Sequence, residues 1–334
     1  KPYNIKFAKK TDLFGFGEAK TYCLLANCFD PTLMRNTLAL KLAQELGLPS
    51  AFGYRIAEVT MDGVYKGCLT EKVEAGEARV DIDTDKGEFL IECERDRVED
   101  GVTYVTVGEE FRFSLTDPEE PSAEQLASIQ QTLDTAYKVA ASRDWDEICK
   151  VFDVDSFTKF YLLNEYFKGI DFAYSSTNFY YKNGKLYAGP VWDFDLSSGN
   201  ASEQMFVAYY RDGKSYEDIV CAQSWYKYLL ECAQFRSSVQ SAFMNYRDRL
   251  EDFWKEKGGI DKNAEFFRDV YARNYAPASE GGAGWIVSKQ YNELQRIPES
   301  TYEDNVAAMK EWFRNRIVWL GEAFGSERFP EEIH

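Results

Sequence analysis

Histidine is almost missing from this chain of 334 residues: the one imidazole is His334, the last residue. A Ser-His-Asp or Cys-His nucleophile system needs an internal imidazole, and most catalytic zinc sites lean on one. Any chemistry here must therefore run on carboxylates, amides, Lys and Arg. Basic charge is also short, with 39 Lys+Arg against 56 Asp+Glu, a net charge of −17 and a pI near 4.7. That balance argues against nonspecific binding to nucleic acid and against docking on an anionic membrane. Its first meaning is a solvated acidic surface; its second is attraction to basic partners. No apolar run reaches about 18 residues, so no transmembrane helix is expected. Cys-x-x-Cys pairs are absent, and the cysteines are odd in number: Cys23, Cys28, Cys68, Cys93, Cys149, Cys221 and Cys232. They read as buried free thiols, suited to a reducing setting, and not as a zinc site or a disulfide framework. Lys1 in place of Met points to a processed or trimmed chain, so the lack of a signal peptide says nothing about secretion.

What is present is ample for a core: 45% apolar residues and 16% aromatic. At about 150 residues per domain the length predicts two domains or lobes. Residues 1–115 read as mostly β with one strong helix. Ile5 and Phe7 alternate with polar neighbours, Leu13 to Gly17 forms a Gly-punctuated turn, and Lys20 to Ala26 reads as a strand. Asp30-Pro31 predicts a helix start, with Met34, Leu38, Leu42 and Leu46 as its stripe and Gly47 as its stop. Asp62-Gly63 predicts a type I′ hairpin between strands 54–60 and 64–70. Further strands are expected at 78–83, 88–93, 102–107 and 110–115. The polar, proline-bearing stretch Thr116 to Pro121 predicts a boundary at 117/118. Ser122-x-x-Gln125 is a capping box for a helix to about Ser142, and a second helix is expected over 155–168. Asn183-Gly184 predicts a hairpin with arms 178–182 and 185–191. Helices are expected at 215–232, 235–256, 262–274, 286–296 and 302–323.

The densest polar constellation lies between Asn164 and Asn200. Asp171 follows an apolar helix. Asp193 and Asp195 flank Phe194 just past an aromatic-rich strand. In an extended chain, residues two apart face the same side. Two carboxylates presented that way make a hard-oxygen site for Mg²⁺ or Mn²⁺, and Phe194 anchors the segment. Taken alone, an Asp-x-Asp is more often an ordinary acidic turn. Lys20 on a strand and Arg35 on the first helix read either as surface and structural cations or as a phosphate clamp.

Lys20-x-Tyr-x-Leu-Leu-Ala-Asn27, Met34-Arg-Asn36, Leu69-Thr-Glu-Lys-Val-Glu74, Asn164-Glu-Tyr-Phe-Lys-Gly-Ile-Asp171 and Gly189-Pro-Val-Trp-Asp-Phe-Asp195 follow one another along the chain. This series resembles the CotH kinase family, named for a spore-coat protein. The resemblance covers about residues 1–200, and Gly189 to Asp195 is its most specific piece. It implies an α+β, two-lobed, atypical protein-kinase-like fold, with a β-rich lobe over 1–117 and a mostly helical lobe over 118–334. It implies ATP-dependent transfer of phosphate to Ser or Thr of a secreted, cell-surface or spore-coat protein, with Mg²⁺ or Mn²⁺. Asp171 would match the catalytic Asp that orients the acceptor hydroxyl. Asp193, with Asp195, would hold the metal. Asn178 would match the catalytic-loop Asn, at a longer spacing from Asp171 than in ordinary kinases. Lys20 would contact phosphate, supported by Arg35, and Glu71 with Lys72 would lie at a hinge near adenine. Two departures stand out. Gly169-Ile170 precedes Asp171 where ordinary kinases have His-Arg, and Gly15 and Gly17 are the nearest glycines to a phosphate loop. The acceptor is expected to be a protein, basic and Ser-rich, and the chain a monomer that inserts in no membrane.

Two rivals come from other classes. Asp193-Phe-Asp-Leu-Ser197 resembles the nucleophile motif of haloacid-dehalogenase-type phosphatases, and Asp-x-Asp also serves nucleotide-sugar transferases. Both need a doubly wound α/β sheet, which the strand pattern does not predict. The other rival is a kinase-like module that binds or assembles without catalysis.

Overall fold

The computed structural model describes the chain apart from residues 1–2, 26, 28, 52, 57, 68–78, 96–97, 109, 203–213, 219–222, 287–288, 291–292, 326–328 and 330–334. The described residues form nine strands and eight α-helices, an α+β protein. Strands β1 (Tyr3–Thr11) and β2 (Ala19–Leu24) pair antiparallel, as do β3 (Val59–Met61) and β4 (Val64–Gly67). Asp62 and Gly63 both take positive φ, as a type I′ turn requires. Between these hairpins lies α1 (Arg35–Leu46), closed by Gly47 at φ 68°. The helix begins later than Asp30-Pro31 predicted. The Asp30 carboxylate accepts from Thr32 and Arg35 and shapes a lead-in turn, so Met34 takes the cap position.

Strands β5 (Phe89–Glu94), β6 (Tyr104–Val107), β7 (Phe111–Asp117), β8 (Ser175–Lys182) and β9 (Lys185–Ala188) make one antiparallel sheet in the order β6-β7-β5-β8-β9. The boundary expected at 117/118 runs through this sheet: β5 pairs with β8 in the register Ile91↔Phe179. Phe89, Leu90 and Ile91 are all fully buried, because both faces of β5 are covered. One face meets α2 (Ala123–Ser142), α3 (Trp145–Val151) and α4 (Val154–Phe167); Phe179 stacks on Phe157 of α4 at 5.5 Å and Phe113 on Trp225 at 5.6 Å. On the other face Leu90 and Tyr180 pack with Leu40 of α1 and Val80. The Ser122–Gln125 capping box opens α2 as expected.

Helix α4 is buried nearly all round, the pattern of a helix inside a core. It packs against α1, α6 (Ala233–Asp252) and α8 (Tyr302–Gly325), while α7 (Gly259–Tyr275) lies on α8. Several elements differ from expectation. Residues 79–83 form no extended strand. Of the described part of 215–232, only α5 (Tyr226–Leu229) is helical, because Trp225, Tyr226 and Leu229 insert into the core in place of lining one face. The described residues of 286–296 are not helical, and Gln295 pairs across to Ala201. Strand β9 ends at Ala188, before the cis Gly189-Pro190 peptide, so Trp192 to Asp195 is loop and not strand. Cys23, Cys93 and Cys232 are buried and Cys149 half-buried, all as free thiols.

Candidate active site

The end of α4 sets the position of Asp171. Lys168 caps the helix at φ 49°, Gly169 N–H returns to the Asn164 carbonyl at 3.0 Å, and the chain turns. Gly169 is glycine because of close approach: a Cβ there would stand 2.8 Å from Asn164 Oδ1 and 3.4 Å from the Phe194 ring. The Asp171 carbonyl then accepts from Tyr174 N at 2.9 Å and Ser175 N at 3.0 Å, which leads into β8. Asp171 itself is half-buried.

The second arm is the loop after β9. Phe194 is buried edge-on to Phe167 at 5.4 Å, which pins this loop to the end of α4. Its N–H donates to Asn36 Oδ1 at 2.7 Å, and Asn36 Nδ2 donates to Asn27 Oδ1 at 3.1 Å. Asp193 is exposed, at φ 64°, and accepts from Ser176 Oγ at 3.2 Å. The left-handed turn at Asp193 breaks the expected strand alternation, so tertiary packing and not a two-residue period brings the carboxylates together. Asp195 is partly exposed as a residue, while its carboxyl lies deep among protein atoms. Burial first, then the charges of Asp193, Asp30 and Asp171, hold it well above the ordinary carboxylate range. The Asp195 carboxyl thus feels three neighbouring carboxyls, of which Asp30 is itself paired with Arg35.

Arg35 lies behind this loop. It is 1% exposed, bonded to Asp30 at 2.5 Å and donating to the carbonyls of Ser197 at 2.9 Å and Ser198 at 3.2 Å. A guanidinium committed this way fastens the loop and is not presented to solvent for a phosphate. Asn200 adds a second fastening, from Nδ2 to the carbonyls of Asp195 and Phe29, both at 2.6 Å. Lys20 is exposed on β2, and its side chain makes no hydrogen bond or ion pair with the described residues. Asn178 is 2% exposed in β8, opposite Glu92 of β5, and its carbonyl accepts from Gly189 N at 2.9 Å. Glu71 and Lys72 lie outside the described residues. In the Gly15–Gly17 turn, the amides of Phe14, Gly15, Phe16 and Gly17 donate to the Asp12 carboxylate, at 2.7–3.3 Å, so this turn aims them at its own side chain.

Asp30, Asn36, Ser176 and Asn200 were not assigned to the site by sequence reasoning. The Met-Arg-Asn segment was the available signal for Asn36; for Asp30 the cap reading concealed a buried partner for Arg35. Among the described residues no group of three His, Cys, Asp or Glu side chains closes tightly enough to cage a cation alone. Mg²⁺ needs no such cage, since it keeps several waters and takes one or two carboxylates plus phosphate oxygens. Asp193 and Asp195 are hard-oxygen donors, which fits that cation. Comparison with known families adds the last observation: the family model described as CotH kinase protein matches residues 1–320. No curated protein matches the chain. A match over that span, together with the Gly189–Asp195 loop on α4, places this chain in the CotH kinase family.

Proposed function

We propose that this chain transfers the terminal phosphate of ATP to Ser or Thr hydroxyls of a protein that is secreted, on the cell surface or in a spore coat. The observation that carries the reading is the packing of the Asp193–Asp195 loop on the end of α4, where the Phe194 ring meets Phe167 at 5.4 Å and stands against Gly169, two residues before Asp171. Asp193 and Asp195 would hold Mg²⁺ or Mn²⁺, with Asn178 inward of them on β8. The bound cation supplies neutralisation of phosphate charge. Asp171 orients the acceptor hydroxyl and accepts its proton late in transfer, a role that needs no histidine. In a two-lobed arrangement Lys20 contacts phosphate from the hairpin side, and Glu71 with Lys72 borders adenine. The acceptor is a basic, Ser-bearing protein. Support comes from the net charge of −17 and from a groove of about 440 Å³ lined by Glu92, Glu94, Glu99, Glu119 and Glu120, which reaches Ser176 beside Asp193. No helix among the described residues is long and apolar enough to cross a membrane.

A second reading, a kinase-like module without transfer, is favoured by one observation: Asp12 occupies the amides that a phosphate loop would offer. One pair of variants separates the two. ATP with Mg²⁺ or Mn²⁺ is expected to raise the melting temperature of the wild type and not that of Asp193→Ala. Radiolabel transfer from ATP to a basic Ser-rich protein is expected to fall about 10²–10⁴-fold in Asp171→Ala, with the ATP shift retained. A wild type that neither binds nor transfers leaves the second reading standing. Phosphomonoester hydrolysis through an acyl-phosphate on Asp193 would sink the kinase reading.

A further inference from the structure

Five consecutive carbonyls, from Lys214 to Asp218, are captured by side chains of two helices. Lys168, fully buried at the end of α4, donates from Nζ to Ser215 O at 3.0 Å and Glu217 O at 2.7 Å. Arg316, fully buried on α8, donates to Tyr216 O at 2.8 Å and Asp218 O at 2.6 Å. Trp312 Nε1 donates to Lys214 O at 3.1 Å. The remaining Arg316 nitrogens hold Glu165, at its carbonyl (2.8 Å) and its fully buried carboxylate (3.1 Å).

Two cations away from water are tolerated only with strong acceptors around them. The carbonyls of this partly exposed strap supply those acceptors. The strap formed by 214–218 also touches both arms of the carboxylate site. Lys168 stands three residues before Asp171. Gly199, four residues after Asp195, lies so close that a Cβ would come within 2.4 Å of Trp312 and 3.1 Å of the Lys214 carbonyl. Ser198 N–H donates to Phe167 O at 2.7 Å and joins the two arms directly.

We propose that Lys168 is a positioning residue, which holds the 214–218 strap against the end of α4 and thereby sets where Asp171 stands. The role rests on the phosphotransfer reading above and adds a residue outside the reacting groups. Lys168→Met keeps the unbranched side chain as far as its ε carbon and removes the three N–H donors and the buried charge. Hydrogen exchange read by mass spectrometry is expected to rise together in peptides covering 166–175 and 214–218. The kcat of transfer is expected to fall about tenfold or more while KM for ATP and the metal-dependent thermal shift stay within about twofold. Faster exchange in 214–218 alone, or an unchanged kcat, would overturn the proposal; so would equal loss of ATP binding and kcat, the mark of a merely structural residue. If Lys168→Met does not fold, Trp312→Phe removes one donor to the same strap and is read the same way. A wild type that transfers no phosphate refutes the functional reading instead. The exchange data then decide whether Lys168 couples the two segments.

Discussion

Asp195 is where the environment acts hardest on a single group. Burial first, then the charges of Asp193, Asp30 and Asp171, hold its pKa in the folded protein well above that of the unfolded chain, which is about 3.9. The folded state therefore holds the proton more tightly. Its contribution to stability is complete below the unfolded pKa and is lost as pH rises through the folded value. Without metal, Asp195→Asn is expected to raise the melting temperature at neutral pH, on the order of 2 °C, and to flatten its decline with pH above about 4. A lower melting temperature in the apo variant at pH 7 would refute the account. The same substitution is expected to weaken stabilisation by Mg²⁺ with ATP, because the amide is a poorer ligand than the carboxylate. Sequence reasoning found Asp195 from its neighbour two residues away. It could not find the burial or Asp30, which is 165 residues upstream.

Among the elements, α1 does more than its stripe of leucines indicates. Leu38, Leu42 and Leu46 face the core as their spacing predicted. Two residues ahead of them, in the first turn, reach the site: Arg35 holds the carbonyls of Ser197 and Ser198, and Asn36 holds the amide of Phe194. Such bonds follow no period, since their partners lie about 160 residues away. Asn36→Ala leaves the Phe194 N–H and Asn27 Oδ1 without that partner in a buried setting, and is expected to cost about 1–3 kcal/mol in urea unfolding. Its metal-dependent thermal shift is expected to shrink, because the loop carrying Asp193 and Asp195 loses one fastening. A full-sized shift in a destabilised variant would separate fold from site. The helices misjudged at 215–232 and 286–296 share one cause. In both, apolar residues are dense enough to suggest a helix, while side chains and cross-chain pairings satisfy the backbone.

The whole molecule carries its −17 over a scaffold in which one sheet joins strands from 89–117 to strands from 175–188. That sheet sets the groove of glutamates, from β5, the loop after it and the segment after β7, beside Ser176 and Asp193. Attraction to a basic acceptor along this face is long-ranged and screened by salt. Raising ionic strength from about 0.05 M to about 0.5 M is expected to raise KM for a Lys/Arg-rich acceptor several-fold, with KM for a neutral Ser peptide nearly unchanged. Equal salt dependence for the two peptides would count against steering by this groove.

The sequence by itself determined the local devices: the Ser122 capping box, the Asp62-Gly63 and Asn183-Gly184 turns, the Gly47 stop, and the Gly189–Asp195 segment that carries the family resemblance. These depend on a few adjacent residues and their intrinsic backbone preferences. Only the tertiary structure decided that Trp192–Asp195 is a loop with a left-handed Asp193, that Arg35 is a buried fastener, and that 214–218 is a strap held by Lys168 and Arg316. Each of these depends on charges, amides and rings brought together from distant positions, and one chain's periodicity carries no record of such meetings.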